Sequence, residues 1–81
     1  PRPARVRRRG MTRPEKHSLT LAGHRTSVSL EPEFWAAFRE IAAQRGLAVN
    51  ALAAEIDAAR APDTGLATAI RLHVLRHYRG R

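Results

Sequence analysis

Cysteine is absent from the 81 residues, which excludes a disulfide scaffold, a thiolate zinc site and a cysteine nucleophile together. Long apolar runs are absent as well. No window of 18 apolar residues exists, and the Arg-rich N-terminus is not followed by an apolar stretch, so neither a membrane span nor a secretory signal is expected. Large apolar side chains are scarce: 15 residues of the 43% hydrophobic fraction are alanine, and the aromatics are two Phe, one Trp and one Tyr. The private core therefore reads as thin. A domain near this size buries only about 60% of its unfolded surface, and such chains commonly share a core with a partner. An obligate homodimer is expected on that ground. Acids are few too, 7 against 15 bases, leaving a formal net charge of +8 that points to a polyanionic partner. The carboxylates are scattered or occupy helix starts, no His stands in a nucleophile arrangement, and no glycine-rich phosphate loop occurs. The reading is not an enzyme, with no cofactor and a cytoplasmic location.

The charge is unevenly placed. Residues 1–25 hold eight bases against Glu15 alone, a net of +7, while residues 26–81 carry a net of only +1. Residues 1–16 read as a basic disordered leader, too polar to offset its ordering entropy. Met11 follows the first ten residues directly, so these read either as an upstream extension of a chain starting at Met11, with net charge +3, or as a basic arm. In the second case Arg7, Arg8, Arg9, Arg13 and Lys16 would add phosphate contacts and salt dependence.

From His17 onward one domain is expected, over 17–81. Leu19 and Leu21 interleave with Ser18 and Thr20, Gly23 interrupts, and Thr26, Val28 and Leu30 interleave with Arg25, Ser27 and Ser29. Period two predicts strand, most clearly for the second run, the first being a short strand or an ordered arm. Glu31-Pro32-Glu33 opens a helix whose stripe is Phe34, Trp35, Phe38, Ile41 and Ala42, with Gly46 as its stop. A second helix is expected from about Ala48 to Arg60, with Val49, Leu52, Ala53 and Ile56 inward. Asp63 or Thr64 would cap a third, over about 64–79, carrying Leu66, Ala69, Ile70, Val74 and Tyr78 on its apolar face. The fold class is mainly α: strand, helix, helix, helix.

A single strand in a helical chain needs a ladder partner. Antiparallel pairing with its twin from a second copy would turn Val28 and Leu30 onto a shared core with Trp35, Phe38, Ile41, Leu52 and Ile56. Arg25, Ser27 and Ser29 of both chains would then face outward, on a ribbon narrow enough for a DNA major groove. The run His24-Arg25-Thr26-Ser27-Val28-Ser29-Leu30-Glu31, the Phe34/Trp35/Phe38/Ile41 helix and Gly46-Leu47-Ala48-Val49-Asn50 together resemble the ribbon-helix-helix, Arc/MetJ-like, family. The similarity covers about residues 24–60, and the continuation to Tyr78 resembles a bacterial subgroup with an extra C-terminal helix. The resemblance implies a nucleoid-associated homodimer on double-stranded DNA, a transcriptional repressor, with assembly beyond the dimer on DNA left open. It implies base reading by Arg25, Ser27 and Ser29, and phosphate binding at Ala48, Val49 and Asn50, where the Ser or Thr frequent in the family is replaced by Ala48.

Two other readings are carried forward. A helix-turn-helix over 38–56 would place Arg45 and Glu55 where two core residues are needed, burying charge at a cost of several kcal/mol. A dimeric adaptor or antitoxin-like module would bind a protein partner through residues 63–81. His73 and His77, four apart, lack the further ligands a metal site needs, so no metal is expected.

Overall fold

The alternation of small polar and apolar residues between Glu15 and Leu30 builds a β-hairpin, and the three apolar stripes that follow build helices beneath it. The computed structural model describes residues 13–80, with β1 (Glu15–Leu21), β2 (His24–Leu30), α1 (Pro32–Gln44), α2 (Val49–Ala59) and α3 (Leu66–Arg79) in chain order. Arg7, Arg8 and Arg9 lie outside the described residues. None of the helices is long and apolar enough to cross a membrane.

β1 and β2 are antiparallel, in a register running from Glu15 opposite Leu30 to Leu21 opposite His24. The connection is two residues long, Ala22 at φ 51° and Gly23 at φ 83°. Positive φ at both central residues is the mark of a type I′ turn, whose twist matches that of the flanking strands. Here the structure departs from the expectation of a lone strand paired across two copies: β2 finds its ladder partner in β1 of its own chain. Glu15 and Lys16, assigned to the leader by their charge, are the first residues of that partner strand.

On the inner face, Leu19, Leu21, Val28 and Leu30 are buried. They close over Phe38, Ile41 and Ala42 of α1, Leu52, Ala53 and Ile56 of α2, and Ala69, Ile70 and Val74 of α3. The side chains expected to form a core shared between two copies are thus buried by one chain, apart from Trp35, which is half-buried. Its indole stacks on His17 of β1, ring centroids 3.9 Å apart and planes 6° from parallel. That stack explains a polar residue on the inner face of the hairpin.

α1 begins with Pro32 at its first position and ends as the Gly46 signal requires. Gly46 sits at φ 69°, its N–H bonds Ala43 O, and the Leu47 N–H reaches back to Ala42 O at 2.8 Å. This Schellman closure satisfies the last carbonyls and turns the chain into α2 within three residues. α2 spans Val49–Ala59, one residue inside each expected bound, with Ala48 as its N-cap. α3 corrects the expected cap: neither Asp63 nor Thr64 holds that position, and Gly65 does, without a side-chain bond. Asp63 and Thr64 belong to the preceding turn, where Arg60 spans Asp57 at 2.7 Å and the Thr64 carbonyl at 2.6 Å.

Candidate nucleic-acid interface

The register places six side chains on the outer face of the hairpin in three rows: Lys16 opposite Ser29, Ser18 opposite Ser27, and Thr20 opposite Arg25. All six are exposed. Successive residues of a strand point to opposite faces, so burying the Leu and Val positions forces these outward. None of the six is acidic. Arg25, Ser27 and Ser29 are the expected readers; Ser18 and Thr20 join them on this face without having been expected there, and Lys16, expected in a basic arm, stands on it too. The available signal was the spacing, since Lys16, Ser18 and Thr20 repeat that of Arg25, Ser27 and Ser29. Arg13, also assigned to the arm, is exposed just before β1.

Each outer edge of the hairpin is met by a side chain from a helix. On β1, the Thr20 N–H donates to Asn50 Oδ1 at 3.1 Å. On β2, Arg71 Nη2 donates to the Ser29 carbonyl at 3.3 Å. Arg71 also donates through Nε to Glu31 at 2.9 Å and lies over the Phe34 ring, 5.9 Å from its centroid. A hydrogen bond from its own backbone, and then the Arg71 guanidinium, hold the Glu31 carboxyl below its ordinary range. The reach of Arg71, 40 residues back along the chain to Glu31, has no local signature in the sequence.

Asn50 brings the N-terminus of α2 beside the hairpin end that carries Thr20 and Arg25. The cap residue Ala48 offers no side-chain bond, and its carbonyl takes the N–H groups of Ala51 and Leu52. Ala48 and Asn50 are exposed and Val49 is half-buried. The first amides of a helix are unsatisfied donors at the positive end of its dipole, which suits an anion. Asn50 does not bend back to cap its own helix. It is spent on β1.

Arg45 and Glu55, which a helix-turn-helix would bury, are exposed and paired through two hydrogen bonds of 3.0 and 3.2 Å. Their exposure removes the core that motif needs over 38–56. His77 faces Gln44 Oε1 at 3.2 Å, and His73 is half-buried, its pKa lowered first by burial and then by Arg45. No group of three metal-ligating side chains stands together among the described residues.

A search of curated proteins and a search of solved structures each found no match. A family model described as a ribbon-helix-helix domain does match, over residues 14–78, spanning the hairpin and nearly all of α3. The chain therefore belongs to the ribbon-helix-helix domain family, a DNA-binding regulatory fold.

Proposed function

We propose that this protein binds double-stranded DNA with sequence preference and acts as a transcriptional repressor by occupying its operator. The observation that carries the reading is the outer face of the hairpin: three rows of exposed basic and hydroxyl side chains with no acid among them. A two-stranded ribbon fits the major groove, where guanine offers N7 and O6 as acceptors to Arg25 and the hydroxyls of Ser27 and Ser29 serve as donor or acceptor. The free amides of Ala48, Val49 and Asn50 hold a flanking phosphate, fixing the register of the ribbon on the duplex. The homodimer stays in the proposal as two chains sharing an operator, each with its own ribbon.

Arg25→Glu tests this reading. The side chain is exposed, so the variant keeps its helical circular dichroism while duplex binding in a fluorescence polarisation titration is lost. Unchanged binding would refute the ribbon as the DNA-contacting face. A second reading, a protein-interaction adaptor, is favoured by the exposure of Leu72 and Leu75 on α3. On that reading the same variant leaves partner binding through residues 63–81 intact and has no duplex binding to lose.

A further inference from the structure

Between the last turn of α2 and the body of α3 lies an open cleft of about 230 Å³, to which the hairpin contributes no residue. It arises from side chains too small to close it. α3 presents Ala69, Leu72, His73 and Arg76 to the cleft, at the i, i+3, i+4, i+7 spacing of a face that ordinarily packs against a neighbour. α2 supplies Ile56 and Ala59 and then stops, and the turn that follows adds only Ala61 and Thr64 beside Arg60. The apolar part of the lining includes Ile56 and Ala69, both buried, and Leu72, which is 36% exposed. The charged part is of one sign: Arg60, His73 and Arg76, with no acid among them. Arg60 is committed, bridging Asp57 and the Thr64 carbonyl. The side chains of His73 and Arg76, one turn apart, form no hydrogen bond or ion pair among the described residues. Burial, then Arg45, His77 and Arg76, disfavour a charge on His73, and the acid that opposes them, Glu55 of α2, is itself paired with Arg45.

We infer that this cleft binds a small organic carboxylate with a short apolar body, the carboxylate held by Arg76 and His73 and the body lying on Ile56, Ala69 and Leu72. The inference does not depend on the DNA-reading proposal. The guanidinium fork of Arg76 matches a carboxylate in plane and spacing, and a ring nitrogen of His73 donates a further bond. A lining that is largely alkyl with a few convergent polar groups is the ordinary make-up of a small-molecule site, and a volume below the usual range of about 300–1,000 Å³ restricts the body to a few carbons. Inorganic phosphate fits less well, because the alkyl lining would strip its hydration without replacing it. The DNA backbone is out of place here: the amides proposed to hold it open α2 at Val49, and the cleft begins near its other end at Ala59, about 15 Å along the helix. A carboxylate beside His73 favours its protonated form, and by reciprocity the protonated form holds the carboxylate more tightly. Affinity therefore rises as pH falls through the folded pKa of His73, which lies below 6.5.

The test is an amide NMR titration of the whole chain with butyrate, at pH 7.5 and 5.5, with acetate, butyramide and inorganic phosphate run beside it. Butyrate should shift the amides of Ala59, Ala61, Leu72, His73 and Arg76 saturably, and more tightly at the lower pH. Butyramide, which keeps the body and loses the charge, should bind about tenfold more weakly or less. Acetate, which keeps the charge and loses two methylenes, should bind about five- to tenfold more weakly. Arg76→Gln should weaken butyrate by about tenfold and keep the pH dependence, whereas His73→Gln should abolish that dependence; circular dichroism verifies that both variants fold. Butyramide or phosphate binding as tightly as butyrate would overturn the inference. So would shifts centred on Ala48 to Asn50, or butyrate shifts that never saturate. None of these outcomes bears on duplex binding, which is measured without the carboxylate.

Discussion

Asn50 Oδ1 accepts the Thr20 backbone N–H across 30 residues of sequence, and this bond ties the start of α2 to the edge of the hairpin. The same side chain thus stands where the proposed phosphate site and the proposed base-reading face meet, which makes its two roles separable.

Asn50→Ala removes the acceptor from an exposed edge and should cost about 0.5–1.5 kcal/mol in urea unfolding. Asn50→Asp keeps an acceptor and adds a negative charge in the first helical turn, where the dipole favours it by about 0.3–1 kcal/mol at exposed sites. Its stability should equal or exceed that of wild type. A carboxylate beside a bound phosphate nevertheless repels it, so duplex affinity should fall. An aspartate variant that binds duplex as tightly as wild type would place the phosphate elsewhere.

The turn offers a stabilising change. Ala22 adopts φ 51° next to Gly23 at φ 83°, a left-handed conformation costing an ordinary L-residue about 1–2 kcal/mol. Asn tolerates that region, and Asn-Gly is a preferred type I′ pair. Ala22→Asn should raise the urea midpoint, by about 0.5–1 kcal/mol in stability. A lower midpoint would contradict the turn geometry.

Because Phe38, Leu30, Ile41, Leu52 and Ile70 are fully enclosed by their own chain, folding should not depend on protein concentration. A hundredfold dilution should leave the urea midpoint unchanged, whereas an obligate dimer would lose about 2.7 kcal/mol over that range. Phe38→Ala should cost about 3–5 kcal/mol, a large share of the stability of a small domain.

The helices were legible because their signals are local: Pro32 at a helix start, Gly46 at a stop, and apolar stripes at helical spacing. β2 was legible from its alternation. β1 was half hidden. His17 occupies an inner-face position where an apolar residue is expected, and only the Trp35 ring, supplied from α1, makes it suitable there. Ala22 also disguised the turn, since alanine does not advertise positive φ. With β1 half hidden, β2 reads from the sequence as unpaired, and a second copy is then needed to complete the ladder. The partner is the seven-residue segment immediately upstream of Ala22, whose first residues are charged. Asn50 and Arg71 were out of reach for a different reason: their bonds span 30 and 40 or more residues, and no local pattern encodes which backbone group a polar side chain will meet.

The same long-range assembly sets an acid sensitivity. His73 on α3 is half-buried, and Arg45, His77 and Arg76 add positive charge around it while Glu55 opposes them more weakly than burial and Arg45 act. Its folded pKa therefore lies below the ordinary 6.5. As pH falls, the unfolded chain takes up the His73 proton before the folded chain does, so acid favours unfolding; the stability is fully present above about 6.5 and declines as pH drops through the folded value. Glu31 works in the same direction at lower pH, because its carboxyl is also held below its ordinary 4.5. Urea midpoints at pH 7.5 and 5.5 should thus differ, with the lower midpoint in acid. His73→Gln removes the titrating group while keeping a polar side chain of similar reach, and should shrink that difference. An equal pH dependence in wild type and variant would show that the environment of His73 does not disfavour its charged form.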